Sequence, residues 1–598
     1  MSTPPTASNS TSDTADPLQR GFEFLENRHF KDAVAFFVPL VSHRPGDVRI
    51  RMALGSAYVN LGQFDAAAVN FLKASRVAPE MAEPRLALAM ALADGGKLKD
   101  GLSVLVQTSS ALPDDAAVWS ARGGLERKLG RDADAEKSFR QSLALAPDSV
   151  DTLNNLAVVV RAQGRIAEAI SLYEKALANA PDTALLHANL GNAYDLAGET
   201  AKAEHHLRRA VEIDPELRDA RHNLAAHLIR AERQDEAIPL LEWVVARDPD
   251  RWDSLTNLGV ATLAVGHTDD AERYYRKAIS LRPDVPETHY DLAWVLLLTG
   301  SWQEGWQEYE WRWKLPTFTS RRPSTDLPEW DGADMPGGTL LIYAEQGFGD
   351  CIQFARYALL AKRRVSSVVL VCPRPLLRLV RTIPEIDAVA ASDEKTLPRA
   401  DAQVAVMSLP LIFQTTPDTV PYPKAYVPRP VPDSKIRLPN HGGRPRIGIV
   451  WAGSPDNKID RQRNCDVAHF KSLIGSVDAD FVSLQVGPRA QDLGDWAHPR
   501  LIYNADGNVG DFLDTAGLIA QLDLVVGVDT AVMHLAASMG IPTWVMLPYM
   551  PDYRWLLGRS DSPWYKCVRL FRQNEKGVWD QVFTDIIRSL TDWSPAAS

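Results

Sequence analysis

Three loops of this chain carry residue types that could move a proton and hold a phosphate. The first is Glu345-Gln346-Gly347-Phe348-Gly349-Asp350. Its glycines permit a tight turn and close approach of backbone to a ligand, and Asp350 could accept a proton. An aspartate at a helix start is also an ordinary cap. The second is Val528-Asp529-Thr530-Ala531-Val532-Met533-His534, where a strand gives way to a helix. A helix start offers unpaired N–H groups and a positive dipole end, which suit phosphate. Asp529 as a plain cap and His534 as a core histidine are the competing readings. The third runs from Gly453 to Arg463 and holds Lys458, Arg461 and Arg463. These cations could neutralise a departing phosphate. A solvated surface run is the alternative.

The elements around these loops fit that use. Apolar runs (TLLIYA, SVVLVC, RIGIVWA, DFVSLQV, LDLVVGV, TWVML) alternate with helical stretches in two blocks, 339–410 and 444–550. Such alternation predicts parallel sheets covered by helices. A Pro-rich stretch, 420–440, separates the blocks. Two lobes with a hinge make a cleft, and ligands of such sheets sit at the carboxyl ends of the strands. The three loops follow predicted strands.

The first half has another grammar. Pro45, Pro79, Pro113, Pro147, Pro181, Pro215, Pro249 and Pro283 recur every 34 residues. Gly55, Tyr58, Ala67, Phe71, Ala74 and Pro79 mark one unit, and Gly191, Tyr194, Ala203, Leu207, Ala210 and Pro215 another. A small residue lets two helices cross closely, a large apolar one fills the gap, and proline stops the second helix. Such an array buries a core only by stacking neighbours and offers a long concave surface. A ninth unit, 286–319, lacks the final proline and carries Trp302, Trp306, Tyr309 and Trp313 on one helix face. A face packed on the next domain is the favoured reading over a ligand-binding patch. The stretch that follows, rich in Pro, Gly, Ser and Thr, predicts a linker. A fragment ending near residue 315 is accordingly expected to fold alone.

Composition narrows the function. In 598 residues, 45% are hydrophobic and 24% charged, which excludes wholesale disorder. Apolar runs of about five residues are too short for a membrane span, which needs roughly twenty. The net charge of −11 argues against nucleic acid as a partner. The N-terminus lacks the pattern of a signal peptide, and the four cysteines form no Cys-x-x-Cys pair, so a cytoplasmic location is expected.

The 34-residue pattern resembles the tetratricopeptide repeat. Residues 339–580 resemble the GT-B glycosyltransferases of the heptosyltransferase type. The motifs are Gly347–Asp350, WAGSP (451–455) with the cations behind it, and VDTAVMHLA (528–536). The joined arrangement is similar to the alphaproteobacterial flagellin glycosyltransferases. The implied architecture is an α-solenoid followed by an α/β GT-B fold of two Rossmann-like lobes. Its expected parts are a disordered tail (1–13), about nine repeats (14–319), a linker (320–338), a first lobe (339–435), and a second lobe with a closing helix (436–598).

The resemblance implies roles. Asp350 is the expected general base. Arg463, with Arg461 and Lys458 behind it, would contact donor phosphate, and so would Thr530 and Ala531 through their N–H groups. Gly347, Gly349 and His534 would complete the donor site, and Asp529 would contact the sugar. Where heptosyltransferases usually carry Lys followed by Trp-Pro, this chain has Arg463-Asn464-Cys465-Asp466. No metal or cofactor is implied. Asp478-Ala479-Asp480 precedes a strand, whereas a metal-binding pair is expected at a strand's end, so it reads as a turn. The implied reaction is transfer of a sugar, with inversion, from a nucleotide-activated donor to Ser or Thr of a protein, flagellin in systems of this type. CMP-activated nonulosonic acids such as pseudaminic acid are the donors that the resemblance suggests. Two alternatives stand beside it: an enzyme like the O-linked N-acetylglucosamine transferases, and a non-catalytic adaptor with a decayed transferase fold.

One position of each first helix could hold the acceptor. It reads Gln19, Ala53, Ala87 and Ala121, then Asn155, Asn189, Asn223 and Asn257, then Asp291. A ladder of asparagines can pair with the backbone of an extended peptide, because each amide both donates and accepts. Local backbone satisfaction is the alternative.

Overall fold

The computed structural model describes residues 18–320, 322–345, 347–439, 443–453 and 463–595. The chain divides into two compact units, 1–232 and 233–598. The expected tail (1–13), Lys458 and Arg461 lie outside the described residues.

The first unit is a succession of antiparallel helix pairs. Ala184–Leu196 followed by Thr200–Ile213 is one such pair. The small site does what its spacing predicts. A Cβ added at Gly55 would lie 2.4 Å from Phe71, at Gly123 2.8 Å from Phe139, and at Gly191 2.7 Å from Leu207. Only glycine lets these helices approach so closely. The turn between the helices of a unit needs a left-handed residue, supplied at 34-residue intervals by Gly62, Gly96, Gly130, Gly164 and Gly198. The next position in that register is Glu232, which adopts φ 59° without the freedom of glycine. It is the last residue of the first unit.

A second regularity follows the prolines. After several of them, the side chain six residues on donates to that proline's carbonyl. Arg51 bonds Pro45 at 3.1 Å, Trp119 bonds Pro113 at 2.8 Å, His187 bonds Pro181 at 3.0 Å and Arg221 bonds Pro215 at 2.8 Å. These donors occupy a carbonyl just past the helix end that would otherwise need water.

The second unit begins with the remaining repeat helices, Gln234–Arg247, Trp252–Ala264, Thr268–Leu281, Pro286–Thr299 and Trp302–Tyr309. Among the described residues, two parallel sheets follow. The first comprises β1 (Met335–Tyr343), β2 (Val365–Cys372), β3 (Ala388–Ala391) and β4 (Ala402–Ala405) in the order β3-β2-β1-β4. The second comprises β5 (Arg446–Val450), β6 (Asp480–Ser483), β7 (Leu501–Asn504), β8 (Leu524–Val528), β9 (Thr543–Leu547) and β10 (Val568–Arg572). Its order is β10-β9-β8-β5-β6-β7. The order reverses at β1 in the first sheet and between β5 and β8 in the second. Crevices open at such switch points, and all three candidate loops leave from them.

Trp302, Trp306 and Tyr309 are each 1% exposed and share a core with Phe354, Tyr553 and Trp564 of the lobes. Trp302 stacks on Trp564 at 4.9 Å, and Trp306 meets Phe354 edge-on at 6.0 Å. These three form a packing surface, whereas Trp313 lies beyond the helix, in the 3-10 turn Glu310–Lys314, and meets Tyr343 at 6.3 Å. The expected linker, 320–338, differs from the structure. Trp330 is 4% exposed, its N–H bonds Gln403 at 2.7 Å, and Gln403 bonds Pro328 at 2.9 Å. Residues 328–330 pair with β4, an edge strand, through Gln403, and β1 begins at Met335 within the expected linker.

Candidate active site

Asp350 sits in the first turn of the helix Phe348–Phe354, whose N-cap is Gly347. One carboxylate oxygen accepts from the Gly347 N–H at 2.8 Å. The other is paired with Arg554, which comes from the second lobe. Asp350 is therefore a cap, and it is also half of a salt bridge that joins the lobes.

The turn containing Asp350 abuts the second candidate loop. A Cβ added at Gly349 would lie 3.1 Å from His534 Cδ2 and 3.5 Å from the Ala531 Cα. Phe348 packs on Phe512 at 5.2 Å, and Arg378 bonds Asp511 and Asp514 at 3.0 Å each. The glycine sits where one lobe closely approaches the other, and a side chain there would oblige His534 to give way.

The helix Ala531–Ser538 starts beside that contact. Its N-cap is Thr530, not Asp529. The Thr530 side chain makes no capping bond, and its buried hydroxyl has no hydrogen-bond partner among the described residues. Asp529, 4% exposed, lies between Arg463 Nη1 at 3.4 Å and His534 Nε2 at 3.5 Å. Burial alone would raise the Asp529 carboxyl. The bond from His534 and the charge of Arg463 outweigh it and hold the group below the ordinary carboxylate range. His534 is 5% exposed, stacks on Trp555 at 5.4 Å, and meets the Tyr565 hydroxyl through Nδ1 at 3.0 Å. It is a core histidine and a partner of Asp529 at once.

The structure thus brings Gly347, Gly349, Asp350, Arg463, Asp529, Thr530, Ala531 and His534 to the facing ends of two parallel sheets. Asn155, Asn189, Asn223, Asn257 and Asp291 are all half-buried. Asn155, Asn189 and Asn223 belong to the first unit, and Asn257 and Asp291 to the second. Asn189 donates to Asn154 at 2.9 Å, so its amide is engaged between neighbouring repeats. Asp480 opens β6 and is bonded by Arg444 at 3.0 Å, and Asp478 is bonded by Arg500 at 2.5 Å.

Sequence reasoning missed Arg554. It lies in the short helical turn Tyr553–Trp555, in the loop that leaves β9. Its signal was there: an Asp-Tyr-Arg-Trp run in the Pro-bounded loop that follows the strand TWVML, as Arg463 stands in the loop after its own strand.

Comparison with known proteins agrees with this arrangement. Tetratricopeptide repeat models match residues 18–84, 114–182, 148–216, 196–258 and 261–310. The glycosyltransferase family 9 (heptosyltransferase) model matches residues 511–546, which hold Asp529, Thr530, Ala531 and His534. Protein FlbA of Caulobacter vibrioides is 26% identical over 347 residues, covering 52% of this chain and 56% of that protein. The chain therefore spans little more than half the length of this curated relative. Among solved structures, the Cut9–Hcn1 hetero-tetramer of the APC/C is similar with a TM-score of 0.38 and 14% identity, over 47% of this chain and 57% of that one. YrrB, a tetratricopeptide protein with an unusual peptide-binding site, gives a TM-score of 0.26 and 22% identity, over 31% and 95%. The chain carries tetratricopeptide repeats ahead of two parallel sheets, the second of which is similar over 511–546 to glycosyltransferase family 9.

Proposed function

We propose that this chain is a metal-independent GT-B glycosyltransferase. It would move a sugar from a nucleotide-activated donor to a Ser or Thr hydroxyl of a protein held by the repeats. The observation that carries this reading is the meeting of the Gly347–Asp350 turn with the start of the helix Ala531–Ser538. The turn that carries Asp350 and a helix N-terminus meet there, at the switch points of two parallel sheets. The buried, unpartnered Thr530 hydroxyl supports a ligand at that helix start.

In this reading the acceptor oxygen attacks the anomeric carbon while its proton passes to Asp350. The bond from that carbon to the phosphate oxygen breaks, and the nucleotide leaves as an anion. Arg463 and the N–H groups at Thr530 and Ala531 stabilise the departing charge. Direct displacement from one face inverts the anomeric centre. The acceptor we propose is flagellin, and the donor class a CMP-activated nonulosonic acid. Both rest on the resemblance of the joined repeat and transferase arrangement. The test is intact-mass spectrometry of flagellin after incubation with the protein and a panel of CMP- and UDP-activated sugars. A sugar-sized mass gain that falls by about 100-fold in rate with Asp350→Asn is expected. No gain with any donor would reject the reading.

A further inference from the structure

Arg554 has an unusual set of neighbours. It is 7% exposed, lies over the Tyr553 ring at 4.6 Å, and serves two carboxylates. Asp552 is the local one: its Oδ1 accepts from Arg554 Nη1 at 2.7 Å and from the Arg554 backbone N–H at 3.0 Å. Asp350 is the distant one, reaching Nη2 from the first lobe. The Nε of Arg554 is buried and has no hydrogen-bond partner among the described residues. One guanidinium thus faces two negative charges and still has a donor to spare. Asp552 already balances its charge from two residues away, so Asp350 is the partner that can be exchanged.

The position of Arg554 says what would replace it. Arg554 leaves from the carboxyl end of β9, next to β8, whose own end carries Asp529 and Thr530. A guanidinium binds phosphate oxygens through parallel N–H bonds, and Nε with Nη2 forms such a fork.

We propose, resting on the reading above, that Arg554 is a ligand for the donor's phosphate and that Asp350 occupies its place until the donor arrives. Phosphate takes the Nε and Nη2 fork, and the displaced carboxylate oxygen of Asp350 becomes available to accept the acceptor's proton. The same exchange makes the base available only when a leaving group is in position.

The rival account is a purely structural bridge that holds the lobes together. The two differ in sign. Calorimetric titration of CMP, UDP and GDP into the full-length protein and its Arg554→Gln and Asp350→Asn variants separates them. If Asp350 competes with phosphate, Arg554→Gln weakens binding by about tenfold or more, while Asp350→Asn tightens it about threefold or more. Melting temperatures check that each variant is folded, and Asp350→Ser carries the same expectation should Asp350→Asn unfold. Weaker or unchanged binding in the Asp350 variants, or unchanged binding in Arg554→Gln, would overturn the proposal. If the wild-type protein binds none of the three nucleotides, the transferase reading fails and this inference with it. If it binds one and the signs do not oppose, only the exchange fails.

Discussion

Arg312 donates from Nε and Nη2 to the two carboxylate oxygens of Glu345, each at 2.8 Å. Both side chains are buried, at 0% and 3% exposed. Arg312 follows the last repeat helix, and Glu345 lies between β1 and the Asp350 turn. Met407 N–H adds a 3.1 Å bond to Glu345, and Ser408 Oγ accepts from Arg312 at 2.8 Å. The end of the repeats is thereby fixed to the backbone that positions Asp350.

Removing one partner of a desolvated pair leaves the other uncompensated, which costs about 3–5 kcal/mol, whereas replacing both by apolar residues is often near neutral. Arg312→Met should therefore destabilise the second unit by about that amount, and Arg312→Met with Glu345→Leu should recover most of it. Urea unfolding followed by tryptophan fluorescence measures both. Equal losses in the single and double variants would show that packing, and not charge, dominates there.

Glu232 gives a test of opposite sign. A non-glycine residue in the left-handed region costs roughly 1–2 kcal/mol, and glycine returns about 0.5–1 kcal/mol of that through the freedom it adds to the unfolded chain. Glu232→Gly should therefore raise stability by about 0.5–1 kcal/mol, read as a higher urea midpoint. A lower midpoint would mean that the Glu232 side chain contributes more than its backbone costs.

The repeats were legible because their period is set by local rules: a small site, a large partner sixteen residues on, and a proline. Gly55 with Phe71 and Gly191 with Leu207 meet as those rules require. The site was legible loop by loop, since glycines and helix starts leave local marks. The pairing of Asp350 with Arg554 was not, because it joins residues on different lobes and no periodicity links them. The linker was misjudged for a related reason. Its Pro and Gly content speaks of turns, but a single buried tryptophan, Trp330, and an open edge strand decide where it lies.

The buried aromatic face changes where the chain can be cut. A fragment ending near 315 would bare Trp302, Trp306 and Tyr309, and buried aromatic side chains of this kind cover about 150–250 Å² each. It should aggregate or bind a hydrophobic dye. Fragments 18–232 and 233–595 respect the division of the chain into compact units and should remain monodisperse. Size-exclusion chromatography with circular dichroism compares the three. A well-behaved 18–315 fragment would show that the aromatic face needs no cover.

Burial pushes the Asp291 carboxyl up to about 7, with the Glu287 charge adding to it. The ordinary value in the unfolded chain is about 3.9. The folded state therefore holds a proton that the unfolded state has lost between those values. The stabilisation from that proton is fully present below about pH 4 and is lost as pH rises towards 7, by up to about 1.4 kcal/mol per pH unit. Asp291→Asn should remove this slope and raise the melting temperature most at pH 8. An unchanged pH profile would show that water reaches the Asp291 carboxylate and keeps it ionised.

Asn257 offers the sharpest test of acceptor docking. Of the asparagines in the series, Asn189 is already bonded to Asn154, so Asn189→Ala tests local structure and not a groove. Asn257 shares a compact unit with the candidate active site, and a peptide held there need not span the division at residue 232. If its amide pairs with the acceptor backbone, Asn257→Ala loses one or two hydrogen bonds at about 0.5–1.5 kcal/mol each, a rise in acceptor KM of roughly 2- to 160-fold. The kcat at saturating acceptor should hold, because Asn257 has no part in the proposed proton transfer at Asp350. Asn189→Ala should shift the melting temperature and leave KM alone. A KM unchanged in Asn257→Ala, with acceptor binding abolished by deletion of 18–149, would place the groove at the far end of the array, where the same position carries alanines.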